Sequence, residues 1–318
     1  AACGGGGDAG DALTDHLVLV RNEGLVELDV ATGEETLLIP TPESSLLIEP
    51  AISPDGQRLV YARQLIPIVR PGEQVKVGTD LYLANRDGSD PRVIQEHQEQ
   101  NEQIRTPAWL PDGERLLVNV QGISGREIFT SIQLLDLATG TRSVIVEDAF
   151  RHTVSDDGTR IAYVRQDENL VQTLFVANAD GSDERLLSGP DDGFGSFSSP
   201  RFSPDGRFIV FGASPPGAPL VSTKPAYVRR GSRTGGGAAV RAARNGLPMD
   251  IYIMEAEGGA PRMIGDVDID LPSIAWTADG GRIFVLGGRG TFAIDPDGGA
   301  EQLAPGTFHG QLDWLAPE

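Results

Sequence analysis

Short apolar runs separated by turn residues recur along the whole chain. Five times a strand-like segment ends in a turn of the Ser-Pro-Asp-Gly type and is followed by a run of consecutive apolar residues; these turns lie at 53–56, 110–113, 155–158, 203–206 and 277–280. Pro presets the backbone of such a turn, Asp bonds its own backbone, and Gly supplies the positive φ, so the chain reverses there. Strands that are apolar on both faces indicate a sheet covered on both sides by other sheets.

Each repeat continues into a third strand and a second hairpin. Residues 81–84 lead through a turn at 85–89 to 93–94, and residues 174–177 lead through 178–182 to 186–187. This order predicts a four-stranded antiparallel meander, and successive units fit propeller blades of roughly 40–45 residues. Two units are longer because they carry insertions at 64–79 and 213–248.

The two ends of the chain together complete one more unit. Residues 17–39 contain three strands without a preceding turn of this type, and 311–317 supply a first strand in which Trp314 takes the place of Trp109 and Trp276. Pairing of these ends would remove the free sheet edges of an open structure. The sequence therefore predicts an all-β fold for residues 16–318, a six-bladed β-propeller of four-stranded antiparallel blades closed by its N- and C-terminal strands.

The five repeats of the Ser-Pro-Asp-Gly type, followed by apolar strands and, in several units, by Asp-Gly-Ser or Ala-Thr-Gly hairpins, resemble the WD-like repeats of TolB-type propellers. The resemblance spans residues 16–318 and implies a non-catalytic interaction scaffold with protein partners at the bacterial cell envelope. TolB carries an α/β domain before its propeller, and we expect this chain to lack that domain.

Charge and cysteine content narrow the function classes. The 318 residues carry a formal charge of −20, which disfavours nucleic acid as a partner. The single cysteine, Cys3, excludes an intramolecular disulfide, and the segment Ala1-Ala2-Cys3 resembles the end of a bacterial lipobox. We therefore predict lipidation of Cys3, with residues 1–15 as a flexible tether and an extracytoplasmic, membrane-anchored location. The alternative is a stray cysteine in a disordered end.

The insertion at 213–248 is a basic segment on an acidic protein. It contains no acidic residue among its charged positions, which are Lys224, Arg229, Arg230, Arg233, Arg241 and Arg244. One hypothesis is a flexible clamp for an anionic partner; the other is a disordered loop whose charges pair with the acidic remainder of the chain.

Binding is expected on the face that carries the long connections, at the mouth of the central channel. The candidates there are Arg105, Arg151, His152, Asp268, Asp270 and His309. His152 takes the place that Pro50, Pro107 and Pro200 hold in other repeats, so it should face the channel. With His309 it would bind metal or substrate, or it is a hydrogen-bonded structural residue. The alternating Asp266, Asp268 and Asp270 would hold a hard cation or are solvated loop acids.

Enzyme motifs are mostly absent from the sequence. It has no Gly-x-Ser-x-Gly, no phosphate-binding glycine loop and no His-Glu-x-x-His. We predict a monomeric, non-catalytic scaffold without cofactor or bound metal. The alternative is a channel-mouth enzyme or glycan-binding propeller, lyase-like or peptidase-associated, that uses His152, His309 and nearby carboxylates.

Overall fold

The fold consists almost entirely of antiparallel β-strands. The computed structural model describes residues 16–66, 77–99, 101–124, 127–215, 248–287, 290–305 and 312–315. These ranges contain one short 3₁₀-helix, Pro190–Asp192, and the strands β1 (His16–Arg21), β2 (Gly24–Asp29), β3 (Glu35–Pro40), β4 (Ser45–Ile52), β5 (Arg58–Leu65), β6 (Thr79–Asn85), β7 (Arg92–Gln95), β8 (Gln103–Trp109), β9 (Arg115–Ser124), β10 (Glu127–Asp136), β11 (Arg142–Glu147), β12 (Ala149–Val154), β13 (Arg160–Gln166), β14 (Gln172–Asn178), β15 (Arg185–Ser188), β16 (Ser196–Phe202), β17 (Phe208–Ser214), β18 (Pro248–Glu255), β19 (Arg262–Asp270), β20 (Ser273–Trp276), β21 (Ile283–Gly287), β22 (Gly290–Ile294), β23 (Ala300–Pro305) and β24 (Leu312–Leu315).

The strands form four-stranded meanders in chain order. Separate sheets hold β12 to β15, β16 to β19 and β20 to β23, and another holds β24, β1, β2 and β3 in that spatial order. The meanders β4 to β7 and β8 to β11 belong to one larger sheet, but they are joined only where Thr79 of β6 meets Gln103 of β8 in parallel register. Every unit thus has four strands.

The repeated turns are stabilised by a hydroxyl at their first position. The Ser53 Oγ donates to Asp55 Oδ1 at 2.5 Å and accepts a hydrogen bond from the Arg58 backbone N–H at 2.9 Å. The turns that begin at Ser155, Ser203 and Thr277 repeat this geometry. The turn that begins at Leu110 lacks the hydroxyl.

The core lies between neighbouring sheets. Val18 and Leu19 of β1 are both fully buried, although they point to opposite faces of the same strand. Their side chains belong to two different clusters, one shared with β20 to β22 and the other with β4 to β6. This confirms the prediction that sheets cover one another on both faces.

The first strand of each unit contacts the first strands of its neighbours. β4 contacts β8, β8 contacts β12, β12 contacts β16, β16 contacts β20, β20 contacts β24, and β24 contacts β4. Meander sheets that pack face to face and meet along their first strands are typical of a β-propeller. The predicted all-β propeller class is confirmed.

Candidate functional site

A repeated irregularity shapes the first strand of the units. The pairing of β4 with β5, β8 with β9, β12 with β13 and β16 with β17 each contains a β-bulge. In every bulge a non-glycine residue adopts positive φ, and the same occurs just before β20; these residues are Glu49 (56°), Thr106 (53°), Arg151 (51°), Ser199 (46°) and Leu271 (44°). Such backbone costs on the order of 1–3 kcal/mol per residue and persists where the surrounding structure holds it.

These five residues line one cavity of about 420 Å³, which we call the mouth cavity. It opens on the face formed by the connections between second and third strands and between successive units, here called the mouth face. Its ionisable lining residues are Glu49, Arg105, Arg151, His152 and Arg201. Neutral polar side chains complete much of the lining: Thr106, Asn119, Gln121, Ser198, Ser199 and Ser273. The predicted candidates Arg105, Arg151 and His152 are brought together there.

Arg151 connects two sheets at the base of the mouth cavity. Its Nη1 donates to the Phe197 carbonyl oxygen at 2.5 Å and to Gln172 Oε1 at 3.2 Å. Burial, reinforced by the nearby positive charge of Arg105, lowers the pKa of Arg151 to about 10. The side chain therefore remains charged at neutral pH, beside another cation and with neutral hydrogen-bond acceptors.

Arg105 and Glu49 form an ion pair within this lining. Arg105 Nη2 lies 3.0 Å from Glu49 Oε1, and the other carboxylate oxygen accepts a hydrogen bond from the Thr106 backbone N–H at 2.5 Å. The Glu49 side chain is buried beside these two neighbours.

His152 is almost completely buried, with 1% of its surface exposed. No hydrogen bond of good geometry reaches either ring nitrogen from the described residues. Burial lowers the pKa of His152 to about 4; the Leu117 backbone opposes this shift weakly, and the charge of Arg201 adds to it. The imidazole is consequently neutral at pH 7. His152 lines the mouth cavity, and its two predicted roles, in binding or as a hydrogen-bonded structural residue, stay predictions.

Exposed apolar side chains also lie on the mouth face, and one of them, Leu271, lines the mouth cavity. They lie at the ends of strands or in connections of that face and are between 44% and 84% exposed. We call this set the apolar rim: Leu46, Ile66, Ile123, Ile128, Leu170 and Leu271. The other large apolar residues with comparable exposure in the described structure all lie on the outermost strands of units.

Several predicted site residues are not placed at the mouth cavity. Asp270 ends β19, in register with Pro248, and does not line the cavity, although the next residue, Leu271, does. Asp268 belongs to the same strand, but its side chain lies outside the described residues. The described residues include no group of three or more His, Cys, Asp or Glu side chains arranged to hold a metal ion. Also outside the described residues are Cys3, Arg229, Arg230, Arg233 and His309.

Sequence reasoning did not include Glu49, Arg201 or the apolar rim among the site residues. The sequence did contain a signal for Glu49 and Arg201. His152 stands where other repeats have Pro50 and Pro200, and Glu49 and Arg201 are the direct neighbours of those prolines. The rim had no sequence signal, because exposed and buried apolar residues look alike in short strands.

A larger groove of about 1150 Å³ lies on the opposite face, between the first two units. Its charged groups pair with one another: His16 Nδ1 lies 2.8 Å from Glu27 Oε1, and Arg58 Nη2 lies 3.7 Å from Asp55 Oδ2. These pairs explain the charges in that groove without a ligand.

Comparison with known proteins places this geometry in context. TolB of the Tol-Pal system of Bordetella pertussis is 28% identical over 169 residues, which are 52% of this chain and 35% of that protein. The chain resembles a TolB-type propeller. The resemblance predicted from the repeats is thereby confirmed, over about a third of the length of the TolB relative. No family model matches the chain.

Solved structures support the same fold. A manganese complex of oligogalacturonate lyase has a TM-score of 0.54 and 16% identity, covering 88% of this chain and 70% of that one. The hydrazine synthase of Kuenenia stuttgartiensis has a TM-score of 0.50 and 13% identity, covering 93% and 81%. At these identities the similarity is one of fold alone.

Proposed function

We propose that this TolB-like propeller is a non-catalytic protein-interaction scaffold of the bacterial cell envelope, and that its partner binds on the mouth face. The observation that carries this proposal is the apolar rim on the face that holds a polar cavity. Exposed apolar residues scattered singly are normal, whereas six that share one face with a cavity favour an interaction surface there. Protein interfaces combine such apolar contacts with a few oriented polar groups.

The envelope location in this proposal is supported by the similarity to TolB, whose described role is in the Tol-Pal system. Lipidation of Cys3, with residues 1–15 as a tether, would hold the propeller at a membrane as a monomer. No helix in the described ranges is long and apolar enough to cross a membrane. Arg229, Arg230 and Arg233 of the basic insertion remain candidates for contacting an anionic partner.

In this proposal the six four-stranded units are six blades that close into a ring. Support comes from the pairing of β24 with β1, in which Trp314 lies opposite Leu17 and Leu312 opposite Leu19. Further support comes from the contact of β24 with both β20 and β4. A closed ring would hold the mouth cavity rigidly, which is the usual arrangement for binding loops on a stable scaffold.

An enzymatic or glycan-binding role is the alternative, and the polar lining of the mouth cavity is the observation that favours it. Acid–base catalysis needs a group whose pKa lies near the working pH. His152, the titratable candidate in the described lining, has its pKa lowered to about 4. A scaffold therefore fits the cavity better.

The test changes the apolar rim and compares it with a matched site elsewhere. The rim variant carries Ile128→Asp and Leu170→Asp, whose side chains are 84% and 70% exposed. The control carries Leu186→Asp on the outermost strand β15, where the side chain is 60% exposed. Proteins cross-linked to the wild type in native envelopes are identified, purified and titrated against all three forms.

We expect the rim variant to bind the purified partner at least tenfold more weakly, while the control binds like the wild type. Thermal melting of each form verifies that the fold is intact. Equal affinity of the rim variant and the wild type would refute the mouth face as the interface.

A further inference from the structure

The mouth cavity carries an excess of positive charge in a protein of net charge −20. Its described ionisable lining contains three arginines, Arg105, Arg151 and Arg201, and one carboxylate, Glu49. Glu49 is already bound by Arg105 and by the Thr106 backbone N–H. Arginines therefore outnumber carboxylates in the described lining, although the chain as a whole is acidic.

Arg151 has no acidic partner among the described residues. Its hydrogen bonds go to a carbonyl oxygen and to an amide oxygen, and the positive charge of a second arginine, Arg105, acts on it. A cation that is desolvated and repelled by another cation is stabilised when an anion joins it. The guanidinium retains N–H groups beyond the Nη1 donor used in these two bonds.

His152 adds a hydrogen-bonding group to the same lining. Its ring is almost completely buried; no hydrogen bond of good geometry reaches either nitrogen in the described structure, and the Leu117 backbone lies within weak hydrogen-bonding reach of the ring. Poor pairing of a buried polar group costs free energy, up to roughly 1–3 kcal/mol when the group is left unpaired. A neutral imidazole carries one N–H, which an anion in the cavity would accept.

From these three observations we infer that the mouth cavity binds a side-chain carboxylate of an acidic segment of the protein partner. Arg151, which has no acidic partner among the described residues, supplies the charge, and His152 supplies a neutral donor. Arginine matches the planar, two-oxygen geometry of a carboxylate. Glu49 in the same lining disfavours a doubly charged group such as phosphate. The volume of about 420 Å³ admits side chains of an extended segment.

This inference rests on the proposed function and names the chemistry by which the partner is recognised. The apolar rim would contact the partner around the acidic segment, in the pattern of a polar anchor surrounded by water-excluding contacts. Charge would also favour encounter with an acidic partner, because the cavity is positive in an otherwise acidic surface.

The test uses three synthetic hexapeptides titrated into the full chain by calorimetry. The first is Gly-Asp-Gly-Asp-Gly-Asp with both ends blocked, and the second replaces each Asp by Asn. The third is the Asn peptide with a free carboxyl end, which distinguishes a terminal carboxylate from a side-chain carboxylate. We expect the Asp peptide to bind at least tenfold more tightly than either Asn peptide, and its binding to weaken as salt rises.

Two variants that lose the same charge distinguish a contact inside the mouth cavity from an effect of the overall charge of the protein. Arg151→Gln removes the guanidinium from the mouth cavity, and Arg207→Gln removes an exposed one beside a turn on the opposite face. Loss of a hydrogen bond to a charged group corresponds to about tenfold or more in affinity. We expect that loss for the Asp peptide with Arg151→Gln and no change with Arg207→Gln.

Three results would overturn the inference: no binding of the Asp peptide at millimolar concentration, similar binding of the Asp and blocked Asn peptides, or equal effects of the two arginine variants. Equal binding of the Asp peptide and the Asn peptide with a free end would overturn the assignment to acidic side chains. The peptide comparison on the wild type decides the matter even if Arg151→Gln is unstable. The rim variant is not expected to change peptide binding by itself, so failure of the proposed function is distinguishable.

Discussion

At the scale of single residues, the residue that follows the positive-φ residue of each first strand determines which polar groups line the mouth cavity. Residues with positive φ precede Pro50, Pro107, Pro200 and Pro272, and in the fifth case Arg151 precedes His152. Proline has no N–H to satisfy, so it suits a bulge where strand pairing is interrupted. His152 departs from this rule and brings a buried imidazole into the cavity instead.

The buried imidazole predicts a specific dependence of stability on pH. The pKa of His152 falls from 6.5 in the unfolded chain to about 4 in the folded one. Between these values the unfolded chain binds more protons, so the contribution of neutral His152 is complete above pH 6.5 and is lost as pH falls towards 4. The loss amounts to about 3 kcal/mol in the free energy of unfolding.

Denaturant unfolding at several pH values measures this effect, with His152→Pro as the comparison because proline occupies the equivalent place in other units. The variant should show a smaller decrease in stability over that interval. Asp157 does not interfere, since the hydroxyl of Ser155 lowers the pKa of that carboxyl to about 2 and its contribution is lost only below pH 3.8. Parallel pH profiles for the wild type and the variant would contradict the prediction.

At the scale of elements, neighbouring units are connected by turn residues as well as by the core. Arg58 Nη2 donates to the Gly113 carbonyl oxygen of the next unit at 2.8 Å, and its guanidinium lies 4.8 Å from the Trp109 ring centre. Arg160 makes the same contacts to Gly206 at 2.6 Å and to the Phe202 ring at 5.4 Å. The outer hairpins also contact their neighbours through glycine, which allows two backbones to approach.

Two hairpin glycines test this close approach. Both have positive φ, 84° at Gly181 and 68° at Gly140, but a Cβ on Gly181 would lie 2.5 Å from the Ile145 carbonyl oxygen, whereas nothing lies within 4 Å of one on Gly140. Gly140→Ala should cost about 1 kcal/mol from backbone strain alone. Gly181→Ala should cost about 1–3 kcal/mol more, because the backbone of β11 must move.

Urea unfolding of both variants gives the two costs under identical conditions. The difference between the variants isolates the contact from the conformational preference, since each carries the same substitution in a positive-φ turn. Equal losses of stability would show that the two units are not in close contact there.

At the scale of the whole molecule, the first and last strands hold one sheet together. Removal of residues 311–318 would delete β24 and expose the edge of β1, which pairs with it from His16 to Leu19. We expect a lower melting temperature, a loss of several kcal/mol in unfolding free energy, and aggregation through the unpaired edge. Thermal unfolding with light scattering measures both effects; a truncated chain that melts like the full one would refute ring closure.

Much of the fold could be predicted because its signals are local. The turn at 53–56 contains its own donors and acceptors, and the alternation of short apolar strands with such turns determines each meander. The pairing of β24 with β1 followed from the same pattern, since 311–317 matched a missing first strand. The repeat placed Arg105, Arg151 and His152 at the first strands, and in the structure all three lie within those strands and line the mouth cavity.

The amino-acid sequence by itself therefore determined the repeating unit of this protein, the class of its fold and the positions that begin each first strand. Only the tertiary structure decided which of those positions meet. Glu49, Arg105 and Arg151 belong to three different units, and they share a cavity because successive first strands pack side by side and their bulges turn the same positions towards one centre. The physical reason is range: turn geometry depends on neighbours along the chain, whereas the charge and burial of His152 depend on groups that only folding brings near it.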